Sequence, residues 1–229
     1  MAPQSVARPT LLLVHGAWHG GWCWSELQAA LEAREFRTRT LDLPSAGGRS
    51  GIAEDTSAVR DGLASIDGPV VVVAHSYGGI PVTQAIADMP NVSRVVYLAA
   101  FQLDIGESLI GFYGAPVPPE TQEFEAVPDD PRKVFYADVP PAEAAEAIAR
   151  LVPQSTKAFT DAVTVAGWHS IPSTYIICEQ DQALPAQLQR KLAVRADDVH
   201  SMESGHSPFL SMPEDLAGLL SHIALVPQD

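Results

Sequence analysis

The feature that most constrains this chain is the apolar run Val70–Ala74, followed at once by His75-Ser76-Tyr77-Gly78-Gly79. An unbroken apolar run lacks the alternation of a sheet with one wet face. It fits a strand covered on both faces, as in parallel sheets. Gly78–Ala87 then reads as a helix, with Pro81 in its first turn, where a missing N–H costs little. The same cadence surrounds this unit. Thr10–Val14 reads as a buried strand, Trp24–Ala33 as a helix with Leu27 and Leu31 on one face, and Arg37–Leu43 as a strand ended by Pro44 and Gly47-Gly48. Ile52–Leu63 reads as a helix and Arg94–Ala99 as a strand. A β-α-β-α order of this kind implies an α/β protein with a doubly wound, mostly parallel sheet.

The cadence breaks between Leu103 and His169. Pro116, Pro118, Pro119, Pro128, Pro131, Pro140, Pro141 and Pro153 punctuate that stretch, which shows no clear strand and one short helix, Ala142–Leu151. It is too long for a simple loop and reads as an inserted helical cap. Alternation resumes with strand Thr174–Cys178, helix Pro185–Val194, strand Asp198–Met202 and helix Ser211–Leu225. Ser211-x-x-Glu214 predicts a capping box at the start of the last helix. The expected organisation is one domain: a core of residues 1–102 and 170–229, and a cap of residues 103–169.

Composition narrows the function. The 229 residues carry 14 basic and 28 acidic side chains, a net charge of −14, with no Lys/Arg cluster. Nucleic acid and anionic membrane are therefore not expected partners, since both need a positive footprint. The two cysteines, Cys23 and Cys178, supply neither a disulfide scaffold nor a Cys-rich metal site. No apolar stretch is long enough to span a bilayer, and Met1–Thr10 lacks a secretory signal's apolar segment. The expectation is a cytoplasmic protein without cofactor or metal. A homodimer is allowed.

Ala74-His75-Ser76-Tyr77-Gly78-Gly79 matches the nucleophile-elbow pattern G-x-S-x-G, with Ala in its first position. A strand that turns into a helix within about two residues strains the serine backbone, and bulky side chains two residues either side would collide. The competing interpretation is a Gly-rich turn built for packing. A hydroxyl nucleophile needs a base, and the base an orienting acid. His206, in Ser204-Gly205-His206-Ser207-Pro208, follows the last strand; Asp181 follows the strand before. Glu179 and Asp104 are the rival acids. His19, His75, His169, His200 and His222 are expected to be structural or superficial. The loop His15-Gly16-Ala17-Trp18-His19-Gly20-Gly21-Trp22 follows the first strand. In the elbow arrangement one oxyanion donor is the amide after the nucleophile and the other lies in this loop, here Tyr77 and Ala17. The loop is not a dinucleotide site, because G-x-G-x-x-G is absent.

Together with Val96–Phe101 and Ser173–Cys178, these motifs make the chain resemble the α/β-hydrolases, and more narrowly the plant methylesterase and hydroxynitrile-lyase branch with its bacterial esterase relatives. The resemblance runs over nearly the whole chain. It implies an esterase rather than a lyase: where the lyases carry a Thr in the first loop and a Lys after the histidine, this chain has Gly16 and Ser207. Ala74 stands where many relatives have Gly. Trp18 is bulkier than its counterpart in the plant enzymes and narrows the pocket mouth. The cap resembles theirs weakly.

The expected function is a serine esterase acting on a small, largely apolar ester through an acyl-enzyme. Ser76 would be nucleophile, His206 base and Asp181 its orienter, with activity falling below about pH 6–7 as the imidazole protonates. Trp18, Phe112, Tyr113, Phe124, Phe135, Tyr136, Phe159 and Trp168 are the candidate pocket walls. The alternatives are a lyase, lactone-forming or cyclising enzyme of a small-molecule pathway on the same fold, and a hydrolase-like ligand receptor.

Overall fold

A computed structural model describes residues 8–119 and 121–226 of the chain. Six strands form one sheet in the order β2-β1-β3-β4-β7-β8. They are β1 (Thr10–Val14), β2 (Thr38–Thr40), β3 (Val70–His75), β4 (Val92–Leu98), β7 (Ser173–Cys178) and β8 (Asp198–Met202). Every pairing in this sheet is parallel. All residues of β1, β3 and β7 are buried, as a sheet covered on both faces requires.

Alternation along the strands builds two separate cores. Leu12, Val14, Val70, Val72 and Ala74 face one side, against Val59 and Leu63 of α2 (Ile52–Ala64), Ile80 and Val82 of α3 (Gly79–Ala85) and Leu192 of α8 (Ala186–Ala193). Leu11, Leu13, Val71 and Val73 face the other, against Leu27 and Leu31 of α1 (Ser25–Glu32) and Leu216 and Leu220 of α10 (Pro213–Leu225). The chain leaves β1 toward β2 on one side and toward β3 on the other, so the order reverses at β1. Loops after strands on either side of such a reversal diverge and leave a crevice at the carboxyl edge. The loop after β1 and the turn after β3 border it.

Residues 103–169 hold α4 (Leu109–Phe112), α5 (Pro131–Phe135), α6 (Pro141–Ile148) and α7 (Thr156–Thr160). They also hold β5 (Phe124–Glu125) and β6 (Gln154–Ser155), an antiparallel pair where the sequence predicts no strand. Two residues are too short to show a period-2 pattern. Phe135, Tyr136, Val139, Ala144 and Ala147 form a third cluster against Trp18 and Trp22 of the first loop.

The start of the last helix differs from expectation. Ser211 ends a separate turn, α9 (Pro208–Ser211), and its hydroxyl donates to Ser207 O. Met212 caps α10 with φ −140° and ψ 50°, without a side-chain cap bond. Pro213 drives its predecessor out of the helical region, so the Ser211–Glu214 box does not form and Glu214 pairs with Arg34 instead. Among the described residues no helix is long and apolar enough to cross a membrane.

Candidate active site

Ser76 follows the last residue of β3 with φ +52°, the left-handed region. A non-glycine residue held there costs about 1–3 kcal/mol and persists only where its surroundings over-determine it. Two glycines allow the approach. An added Cβ on Gly16 would lie 2.8 Å from Ser76 Cβ, and one on Gly78 would strike the His15 carbonyl. The first loop and the elbow can therefore touch only because both residues lack a side chain. Phe101 N–H donates to Ser76 O at 3.1 Å and pins the turn to the end of β4.

His206 and Asp181 meet across two loops. Nδ1 of His206 lies 2.7 Å from Asp181 Oδ2, with side-chain exposures of 2% and 0%, so the pair is shielded from water. Asp181 Oδ1 accepts from the Ala183 and Leu184 amides at 2.7 and 2.9 Å. With His206 Nδ1 committed to Asp181, the other ring nitrogen is left for the cavity that Ser76 also lines. The rival acids are engaged elsewhere: Glu179 pairs with Arg190 and Asp104 with His169.

Two residues that support this pair have no signal in the sequence. Gln189 of α8 is fully buried; its Nε2 donates to Asp181 Oδ2 at 3.0 Å and its Oε1 accepts from Cys178 N at 2.9 Å. Asp138 Oδ2, from the 103–169 segment, accepts the Gly205 amide at 2.7 Å, directly before His206.

Three further histidines, all buried and neutral, contact the backbone of Gly16, Ala17 and His206. His15 places Nδ1 2.8 Å from Gly16 O, while Nε2 accepts from Leu43 N–H at 2.9 Å, which fixes its tautomer. Burial lowers its pKa. His19 places Nδ1 2.7 Å from Ala17 O and Nε2 2.7 Å from the Tyr136 hydroxyl; burial pushes its pKa down to about 3. His75 Nε2 lies 2.9 Å from His206 O, and burial holds its pKa well below the usual range.

Ser76, His206, Ala17 and Tyr77 border one cavity of about 130 Å³. The Ala17 amide takes no hydrogen-bond partner among the described residues. Tyr77 lies in the turn Ser76–Gly78 that leads into α3, where leading amides have no intrahelical acceptor. The two residues expected from the sequence to supply oxyanion donors therefore border the same cavity as the serine.

Of the predicted walls, Trp18, Tyr113, Phe135 and Phe159 line the cavity. The other four do not, and their expected lining role is corrected. Phe112 packs edge-on against Phe101 and Tyr113. Phe124 lies under the Arg49 guanidinium at the surface. The Tyr136 hydroxyl is spent on His19, and Trp168 stacks on His169 and donates to Leu103 O. Beside Phe101, Pro128 and Ala183, the side chains of Leu109, Val134 and Leu184 add aliphatic surface to the wall. As scattered aliphatic residues they carried no signal. Among the described residues no group of three or more His, Cys, Asp or Glu side chains is placed to hold a metal ion.

The model of the α/β hydrolase family matches residues 11–219. The chain belongs to the α/β-hydrolase family. Its relatives include a carbendazim hydrolyzing esterase of Nocardioides sp. (strain SG-4G), 30% identical over 92% of this chain and 97% of that one. Methylesterase 9 of Arabidopsis thaliana is 28% identical over 93% and 97% of the two chains. Norfluorocurarine synthase 2 of Strychnos nux-vomica is 28% identical over 93% and 94%. Among solved structures, a pyrethroid hydrolase from Sphingobium faniae JZ-2 superimposes with a TM-score of 0.78 at 27% identity, covering 96% of this chain and 98% of its own. These relatives place the chain in the methylesterase branch with its bacterial esterases.

Proposed function

We propose that the chain is a serine hydrolase of small, apolar carboxylic esters. The observation that carries this reading is the buried His206–Asp181 pair on the same cavity as a strained serine and two amide donors. His206 takes the Ser76 proton as Oγ attacks the ester carbonyl, while Asp181 holds the tautomer and stabilises the imidazolium. The Ala17 and Tyr77 amides receive the oxyanion, each such donor being worth about 10²–10³ in rate. His206 then protonates the leaving alkoxide. Water, activated by the same histidine, releases the acid and restores Ser76.

The cavity supports the substrate class. Its volume of about 130 Å³ is slightly below the roughly 150 Å³ apolar cavity that accepts benzene. Apart from His206, its lining residues carry no ionisable group except two phenols: Tyr77, whose hydroxyl donates to Asp55, and Tyr113, whose pKa burial pushes up to about 12. A charged acyl or alcohol group would enter without a partner and pay its desolvation. Residues 103–169 serve as the cap, supplying Tyr113, Phe135 and Phe159 and excluding water. Ser76→Ala should abolish p-nitrophenyl acetate turnover, and a fluorophosphonate should label the wild type at Ser76 alone. Undiminished turnover by the variant defeats the proposal.

The synthase among the relatives favours a second reading, in which the same groups catalyse a non-hydrolytic step on a pathway intermediate. Product analysis separates the two: hydrolysis releases an acid and an alcohol in equal amounts.

A further inference from the structure

Asp55 of α2 is a fully buried carboxylate that the proposed chemistry does not use. Among the described residues it pairs with no cation. Its charge is met only by hydrogen bonds: Ser45 N–H on Oδ1 at 2.9 Å, and the Ser45 and Tyr77 hydroxyls on Oδ2 at 2.5 and 2.6 Å. Burial raises its pKa against these bonds. All three partners are donors, so the arrangement suits the anion.

The direction of every bond beyond Asp55 follows from that anion. Ser45 spends its one hydroxyl hydrogen on Asp55, so its oxygen must accept. It accepts from Gln154 Nε2 at 2.7 Å. That fixes the Gln154 amide with Oε1 turned the other way, where it accepts the Trp18 amide at 3.1 Å. The chain of bonds thus runs from Tyr77, the residue after Ser76, to Trp18, the residue after Ala17. Both ends sit beside strained backbone: Ser76 has φ +52° and Trp18 has φ +62°. Such residues relax unless their neighbours hold them. Val152 N–H adds a second hold, donating to Trp18 O at 3.0 Å.

We propose that Asp55, acting through Ser45 and Gln154, is a positioning residue that aligns both amides of the oxyanion hole, Tyr77 and Ala17. The proposal rests on the serine-hydrolase reading above. It also gives the 103–169 segment, which carries Gln154, a part in the alignment of the oxyanion hole.

The test compares wild type, Asp55→Asn and Gln154→Ala. In Asp55→Asn an amide NH₂ replaces one acceptor oxygen and reverses at least one bond; Gln154→Ala cuts the chain on the Trp18 side. The readouts are kcat and KM for p-nitrophenyl acetate, melting temperature, and Ki for an aryl trifluoromethyl ketone. Ser76 Oγ adds to that ketone's carbonyl, its proton passes to His206, and the carbonyl oxygen becomes the oxyanion of a tetrahedral adduct. Misaligned donors weaken only species that carry an oxyanion. Both variants should lose about tenfold or more in kcat and in affinity for the ketone, with KM within about twofold of wild type. Wild-type kcat and Ki in a variant that melts lower would overturn the proposal. If Asp55→Asn does not fold, Gln154→Ala decides by the same readouts. A wild type that the ketone does not inhibit overturns the serine-hydrolase reading itself, and the wild-type arm distinguishes that failure.

Discussion

At the carboxyl edge of the sheet, the Ala17 loop and Ser76 follow strands of five and six buried residues. Across the cavity, Tyr113, Phe135 and Phe159 belong to or directly follow helices of four or five residues. Isolated helices of that length are not stable in water. They are held by bonds to the core: Tyr136 to His19, Asp138 to Gly205, Gln154 to Ser45, and Asp161 to the Ile52 amide. The edge is supported first by its own strands, with Gln154 and Asp138 adding holds from the opposite segment, whereas the opposite wall is supported by what it touches. Chemistry that needs sub-ångström placement belongs on the first kind of support. Specificity belongs on the second, where segments vary at little cost to the core.

The largest way to break this contrast lies on the edge. Asp181→Asn should lower kcat about 10⁴-fold by presenting the wrong hydrogen to His206. Single-turnover kinetics with p-nitrophenyl acetate would check it, and a loss confined to KM would refute the role. Next comes a contact from the opposite wall: Asp138→Ala frees the Gly205 amide and should cost about ten- to a hundredfold in kcat, since small displacements of a base are expensive. An unchanged kcat would reduce the segment to a wall. Trp18→Leu should leave the reacting groups in place and enlarge the cavity. The ratio of kcat/KM for the butyrate over the acetate ester should then rise about tenfold, the scale of pocket discrimination per methylene.

The smallest effect is on stability. His19 has a folded pKa of about 3 against 6.5 in the open chain, so it is a base that folding keeps neutral. Below pH 6.5 the unfolded chain gains a proton the folded one refuses. The stabilisation is therefore present above pH 6.5 and is lost as pH falls toward the folded value. Between pH 6.5 and 5.5 this one residue should remove about 1 kcal/mol. Urea midpoints over that range should fall less in His19→Gln than in wild type; equal slopes would refute it.

The strands were legible where burial on both faces left a continuous apolar run, as in Val70–Ala74. Arg37–Leu43 was read too long, since only Thr38–Thr40 pair with β1. The elbow was legible because a strand-to-helix turn dictates its own small residues. His206 and Asp181 were legible from their place after successive strands. Gln189 looks like any polar residue on an amphipathic helix until α8 docks beside Asp181. Phe112, Phe124, Tyr136 and Trp168 were read as walls because aromatic residues fill both cores and pockets, and composition does not tell which.

The sequence by itself determined the alternating elements and the separate segments that carry the candidate site, because each segment is written within a dozen neighbouring positions by periodicity or turn chemistry. Tertiary structure alone decided which side chains border the cavity and which polar groups hold it in place. Those bonds join positions as distant as Trp18 and Gln154, separated by 136 residues. Their partners are chosen by the burial of a carboxylate or an amide that must find a hydrogen bond wherever the fold brings one.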